Sequence, residues 1–108
     1  MTNLTGKPFA LIGIHIGHPW TEEMISMAWK HPNVYIGTDA HLPKYWDASL
    51  IKFINSRGQD KVLYGTDWPV VDFEKSRREL DALDIKDSAK RKLLFDNAVR
   101  VYKLEHWV

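Results

Sequence analysis

The chain has 108 residues, of which 44% are hydrophobic and 27% charged: enough for one core and too few for two. Fifteen basic and fourteen acidic residues leave a formal charge of +1, so no overall field selects nucleic acid or an anionic membrane as partner. The absence of cysteine excludes disulfides, zinc ribbons and thiol nucleophiles, and leaves His, Asp and Glu, with five histidines among them, as the donors for any metal.

The opening "MTNLTGKPFALIGIHIG" has no basic n-region and no small-residue cleavage site, and no segment approaches the length of a membrane span, so a cytoplasmic protein is expected. The first apolar run, "FALIGIH" at 9–15, is β-rich and nearly continuous in apolar character, as in a strand buried on both faces of a parallel sheet. It is followed by "PWTEEMISMAWKH". There Pro19 suits a first helical turn, Glu22 and Glu23 complement its positive end, and Met24, Ile25, Ala28 and Trp29 recur at helical spacing until Pro32 stops the helix.

The second run, "NVYIGTD" at 33–39, leads into "KYWDASLIKFINSRG", a helix with an apolar stripe of Trp46, Leu50, Phe53 and Ile54 and a stop at Gly58. The third, "KVLYGTD" at 61–67, precedes "DFEKSRRELDAL", with Phe73, Arg77, Leu80 and Leu83 on adjoining turns. In the last segment, from Lys86 onward, Asp87 or Ser88 is placed to cap a helix that Asp96 and Asn97 are expected to interrupt. The order βα, βα, βα, α predicts an α/β fold with three parallel strands and about four helices, without an internal domain boundary. A full barrel of eight such units takes roughly 250 residues, so three units are either a small open sheet or part of something larger.

Polar groups at the carboxyl ends of parallel strands converge on one face, where such folds bind ligands. His15, Asp39 and Asp67 end the three predicted strands, and imidazole and carboxylate suit zinc or manganese as well as general acid or base work. On spacing alone, Asp67 reads as a turn former or cap more often than as a ligand, and His15 stands in no recognised ligand spacing. His18 and His31 read as structural residues at helix ends, and Asp39 and His41 as members of a solvated loop rather than substrate contacts. Trp20, Trp46 and Trp68 fall near the strand ends, either as core or as walls of a pocket. There is no glycine-rich phosphate loop, no G-x-S-x-G elbow and no H-E-x-x-H pair, which removes the usual signatures of phosphoryl transfer and serine hydrolysis.

Taken together, "HIGHPWTEEMISMAWKHPNVYIGTDA", "KVLYGTDWPV" and "LLFDNAVRVYKL" resemble the carboxyl-terminal part of amidohydrolase-related proteins, the group that includes metal-dependent lactone hydrolases and aminocarboxymuconate-semialdehyde decarboxylase. The similarity runs from about Phe9 to Leu104. It implies a partial (β/α)8, TIM-barrel-like domain over residues 1–108, with strands resembling the sixth to eighth of the barrel.

By the same resemblance, Asp67 matches the strand-end aspartate that binds the divalent metal or handles the proton of its water. His15 matches the histidine that serves as metal ligand or general acid or base, and Asn97 and Ala98 match a structural segment. The metal implied is zinc, with manganese as the alternative, and the reaction is hydrolysis of a lactone, amide or similar bond, or a decarboxylation, on a small-molecule substrate. The family's first-strand His-x-His pair and about five strands are not in this sequence. His15 and Asp67 alone fall short of the three protein ligands of a catalytic zinc, so low metal occupancy is expected of the isolated chain. Two open sheet edges would favour homo-oligomerisation or association with the absent strands, and a non-catalytic oligomerising remnant is the alternative function.

Overall fold

A computed structural model describes residues 9–107. Its centre is a sheet of three parallel strands, β1 (Leu11–Gly13), β2 (Val34–Gly37) and β3 (Val62–Leu63), in the spatial order β1-β2-β3. Ile36 aligns with Val62, and Val34 lies two residues before Ile36, so these apolar side chains share one face, on which the helices pack. The strands are shorter than the apolar runs because each run bends into its loop before its last polar residue. Backbone pairing nevertheless continues past β2 and β3: Thr38 N donates to Leu63 O at 3.0 Å, and Ala40 N to Thr66 O at 3.2 Å.

The helices are α1 (Thr21–Lys30), α2 (Ala48–Asn55), α3 (Phe73–Asp81), α4 (Asp87–Arg91) and α5 (Asn97–Val101). A π-helical turn, Lys92–Asp96, joins α4 to α5 without a break, so the chain has four helical bodies among the described residues, as the repeat order implied. The core includes Ala28 from α1, Leu50, Phe53 and Ile54 from α2, Leu80 from α3, Ala89 and Leu93 from the last helix, and the strand residues Val34, Ile36 and Val62.

Several local expectations are corrected. Pro19 lies outside α1, after a cis peptide bond to His18, and Trp20 is the residue before the first turn. His18 therefore does not cap α1; it closes the short 3-10 turn His15–Gly17, its N–H donating to His15 O at 2.9 Å. Trp29 is exposed, with the Arg57 guanidinium 5.1 Å from its ring centroid. On α3 the buried residues are Ser76 and Leu80, while Phe73 faces solvent; Asp72 caps this helix by accepting from Lys75 N at 2.8 Å. Lys86, rather than Asp87 or Ser88, occupies the cap position of α4, and its N–H is satisfied by Asn55 Oδ1 at 2.9 Å. Gly58 closes α2 as predicted but for a different reason. A Cβ there would stand 2.3 Å from the Phe53 ring, so close approach is what requires glycine.

Asp96 and Asn97 do not interrupt the last helix. Asn97 is fully buried, and its side-chain amide donates to Gln59 O and Val62 O, both at 2.8 Å. In the widened turn Asn97 N bonds to Lys92 O, which leaves the Leu93 carbonyl free to accept from Tyr64 N at 3.1 Å. The last helix thus covers the outer edge of β3, accepting from Tyr64 N and donating to Val62 O. The expectation of two open edges is corrected to one, that of β1, where Leu11 and Ile14 are exposed.

Candidate functional site

All three loops that leave the carboxyl ends of the strands turn through left-handed backbone. His15 (φ 57°) and Ile16 (φ 50°) follow β1, Ala40 (φ 66°) follows β2, and Asp67 (φ 59°) follows β3. Such conformations are uncommon outside glycine, and for a β-branched residue such as Ile16 they are strained. Ile16 is held there by burial in the core. The remaining non-glycine residue of this kind among the described residues is Lys103 (φ 57°), after α5, so most of the strain gathers on the face where the polar residues emerge.

The consequence is convergence. His15, Asp39 and Asp67 each offer a nitrogen or oxygen donor, and these three atoms lie within 4.8 Å of one another. His15 Nε2 stands 3.2 Å from Asp39 Oδ2, and the backbone N–H of His15 donates to Asp39 Oδ1, also at 3.2 Å. The His15 side chain is 49% exposed and that of Asp39 23%, so the cluster is open to solvent on one side.

The two Gly-Thr-Asp segments divide the work. Thr38 is fully buried, and its hydroxyl accepts from Gly65 N at 3.1 Å, which ties the end of β2 to the end of β3. Gly37 leaves room for the aspartate: a Cβ at this position would lie 3.1 Å from Asp39 Oδ1. Asp39, expected in a solvated loop, is therefore held in the cluster with His15.

His41 extends the group. Its ring centroid lies 6.1 Å from that of His15 and 5.1 Å from that of His18. Partial burial, followed by the neighbouring His18 and His15, pushes its pKa below the ordinary imidazole value, against the opposing pull of Asp39. Beside these rings is a hollow of about 530 Å³ whose lining includes Ile16, His18, His41, Leu42, Tyr45 and Val70. The tryptophans take no part in it. Trp46 is buried at 6% exposure with its indole N–H donating to His41 O, while Trp20 and Trp68 are 67% and 72% exposed.

The donor chemistry fits a divalent ion of intermediate softness: one imidazole and two carboxylates are a set that zinc and manganese accept. The 3.2 Å between His15 Nε2 and Asp39 Oδ2 also matches the spacing of about 3.3 Å between ligands of a tetrahedral zinc with bonds of about 2.0–2.1 Å. Among the described residues no helix is long and apolar enough to cross a membrane.

Comparison with known proteins places this arrangement. An uncharacterized TIM-barrel protein from Bordetella bronchiseptica, known from its crystal structure, superposes with a TM-score of 0.78 at 28% sequence identity. The match covers 87% of this chain and 34% of that one, so the chain spans about a third of the length of its structural relative. No curated protein matches the sequence. The three parallel strands are thus a part of a TIM barrel, and the family model for amidohydrolases matches residues 9–104. The chain belongs to the amidohydrolase family.

Proposed function

We propose that this chain supplies the strand-end metal and proton-transfer residues of a metal-dependent hydrolase acting on a lactone, amide or similar bond of a small molecule. The observation that carries the reading is the convergence of His15 and Asp67, from loops 52 positions apart in sequence (67 − 15), onto one cluster of donors in a family of amidohydrolases. When bound, a divalent ion such as zinc or manganese polarises a carbonyl and acidifies water. Asp67 has two carboxylate oxygens, one to hold the ion and one to accept a proton. His15 holds the ion or returns a proton to the leaving oxygen or nitrogen. The hollow beside His41 is lined by apolar side chains and histidines together, which suits a small ligand with an apolar body and a polar end. Decarboxylation is the neighbouring chemistry within the same reading, since the same ion would orient a substrate carboxylate.

The test is hydrolysis of a panel of lactones and simple amides with added zinc or manganese. Turnover that is abolished by a chelator, and by Asp67→Ala with the far-ultraviolet circular dichroism unchanged, supports the reading. Turnover indifferent to metal or to Asp67 refutes it. A second reading, an oligomerising remnant without catalysis, draws on the open edge of β1 with Leu11 and Ile14 exposed. That edge would pair with further barrel strands or with another copy, and oligomers that form without any metal-dependent turnover would favour this second reading.

A further inference from the structure

We infer that Asp39 is the third protein donor of the metal site, so that this chain builds a three-ligand site for a divalent cation from its own residues, His15, Asp39 and Asp67. The inference rests on the metal-dependent reading above and goes beyond it, because that reading needs only His15 and Asp67. Two donors from one chain leave a catalytic zinc short by one ligand; a third completes the usual protein set and keeps one position open for water or substrate.

Four observations point to Asp39. Its Oδ2 is 3.2 Å from His15 Nε2, which is ligand-to-ligand spacing around a single small ion. Its other oxygen accepts the His15 backbone N–H at 3.2 Å, so the carboxylate is oriented by one atom and presented by the other. Gly37 provides the space this pose occupies, since a Cβ there would lie 3.1 Å from Oδ1. Asp67 brings a second carboxylate whose donor atom is within 4.8 Å of the other two, on a side chain exposed enough to turn inward. Two carboxylates gathered at this distance repel one another, and a cation between them reverses the sign of that interaction. Imidazole with two carboxylate oxygens selects zinc or manganese over calcium, which prefers six to eight oxygens.

The experiment uses the full chain, stripped of metal by chelator dialysis. Zinc is titrated against a competing fluorescent chelator, and cobalt(II) is titrated in parallel because its visible absorption intensity reports coordination number. Wild type is expected to bind one ion per chain with a strong four-coordinate cobalt spectrum. Asp39→Ala and Asp67→Ala are each expected to weaken zinc by more than roughly 100-fold, exceeding the 10–100-fold effect typical of a lost outer-sphere partner. Asp39→Asn, nearly isosteric and therefore folded even if the alanine variant is not, is expected to lose the four-coordinate spectrum as well.

If the Asp39 variants bind zinc as wild type does while Asp67→Ala does not, Asp39 is no ligand and the inference falls, with the metal-dependent reading left standing. If wild type binds no ion, the three donors are insufficient and the inference also falls; the hydrolysis assay then decides the function by itself. The double variant His18→Ala, His41→Ala is expected to keep wild-type affinity, and loss of binding there would assign the ion to the neighbouring imidazoles and overturn the proposal.

Discussion

Replacing Asn97 by alanine tests whether the last helix seals the sheet. The amide nitrogen of Asn97 serves two main-chain carbonyls, those of Gln59 and Val62, at 2.8 Å each, and the side chain is fully buried. Alanine removes both donors and leaves the Val62 carbonyl, on a residue 1% exposed, without a partner. A buried polar group left unsatisfied costs about 1–3 kcal/mol. The Gln59 carbonyl belongs to a half-buried residue and recovers part of its loss from water. The sum is about 2–4 kcal/mol, a large share of the roughly 5–15 kcal/mol that holds a domain of this kind together.

Urea denaturation followed by circular dichroism reads this directly as a lower midpoint. At about 4–8 °C per kcal/mol the melting temperature should fall by about 8–32 °C. Asn97→Asp should be worse than alanine, because it keeps the bulk, loses the donor and buries a charge against two carbonyl oxygens. A loss below about 0.5 kcal/mol for the alanine variant, the range of an ordinary surface change, would refute the claim that this side chain closes the β3 edge.

Gly58→Ala should destabilise by about 1–3 kcal/mol, since its Cβ would meet the buried Phe53 ring at 2.3 Å; denaturant melts check this, and a neutral result would mean that the ring yields freely. Leu50→Ala, at a fully buried position on α2, should cost about 2–5 kcal/mol in the same assay, against a change within about 0.5 kcal/mol for the exposed Met27→Ala. Burial raises the pKa of Tyr64, although its hydroxyl contact with Ser76 opposes this. The unfolded tyrosine ionises near pH 10 while the folded one stays neutral longer, so this contribution to stability is complete below pH of about 10 and is lost as pH rises through the raised value. Stability measured against alkaline pH should decline less steeply in Tyr64→Phe than in wild type. At the opposite extreme, Arg91→Ala should change stability by less than about 0.5 kcal/mol, because its pair with Asp96 is exposed on both sides at 3.4 Å.

The parts of this molecule that were legible in the sequence are those fixed by short-range pattern. Three apolar runs with helical segments between them gave the parallel sheet, and the stripe of Trp46, Leu50, Phe53 and Ile54 is buried as its spacing requires. Helix starts were less legible. Pro19 and Asp87 carry the usual start signals, yet the chain begins α1 at Thr21 and puts Lys86 at the cap of α4, because contacts from elsewhere override propensity. For Lys86 the deciding contact is with Asn55, 31 residues away, which no local window contains. Asn97 defies a local reading for the same reason. Asparagine after aspartate is an ordinary helix breaker, and only the approach of β3 gives its amide two carbonyls and makes it a fixture of the helix.

Asp39 shows where such reading stops and what would have extended it. As a single residue in "GTDAH" it is a loop aspartate, and the residues it clusters with, His15 and Asp67, lie 24 and 28 positions away in sequence (39 − 15 and 67 − 39). The sequence nevertheless contains a cue, for "GTD" occurs twice, and each time its aspartate lies a few residues beyond a strand end. The register pairs Gly37 with Leu63, so the second copy lies two residues further along than the first, and because side chains alternate with period two this offset keeps the two copies on the same face. Thr38, whose hydroxyl accepts from Gly65 N, ties the two copies together across that offset. A repeated tripeptide at adjacent strand ends is therefore a stronger statement than either copy alone: once Asp67 is read as a donor, the second copy places a carboxylate beside it, and the left-handed turn after Ile14 brings His15 to both.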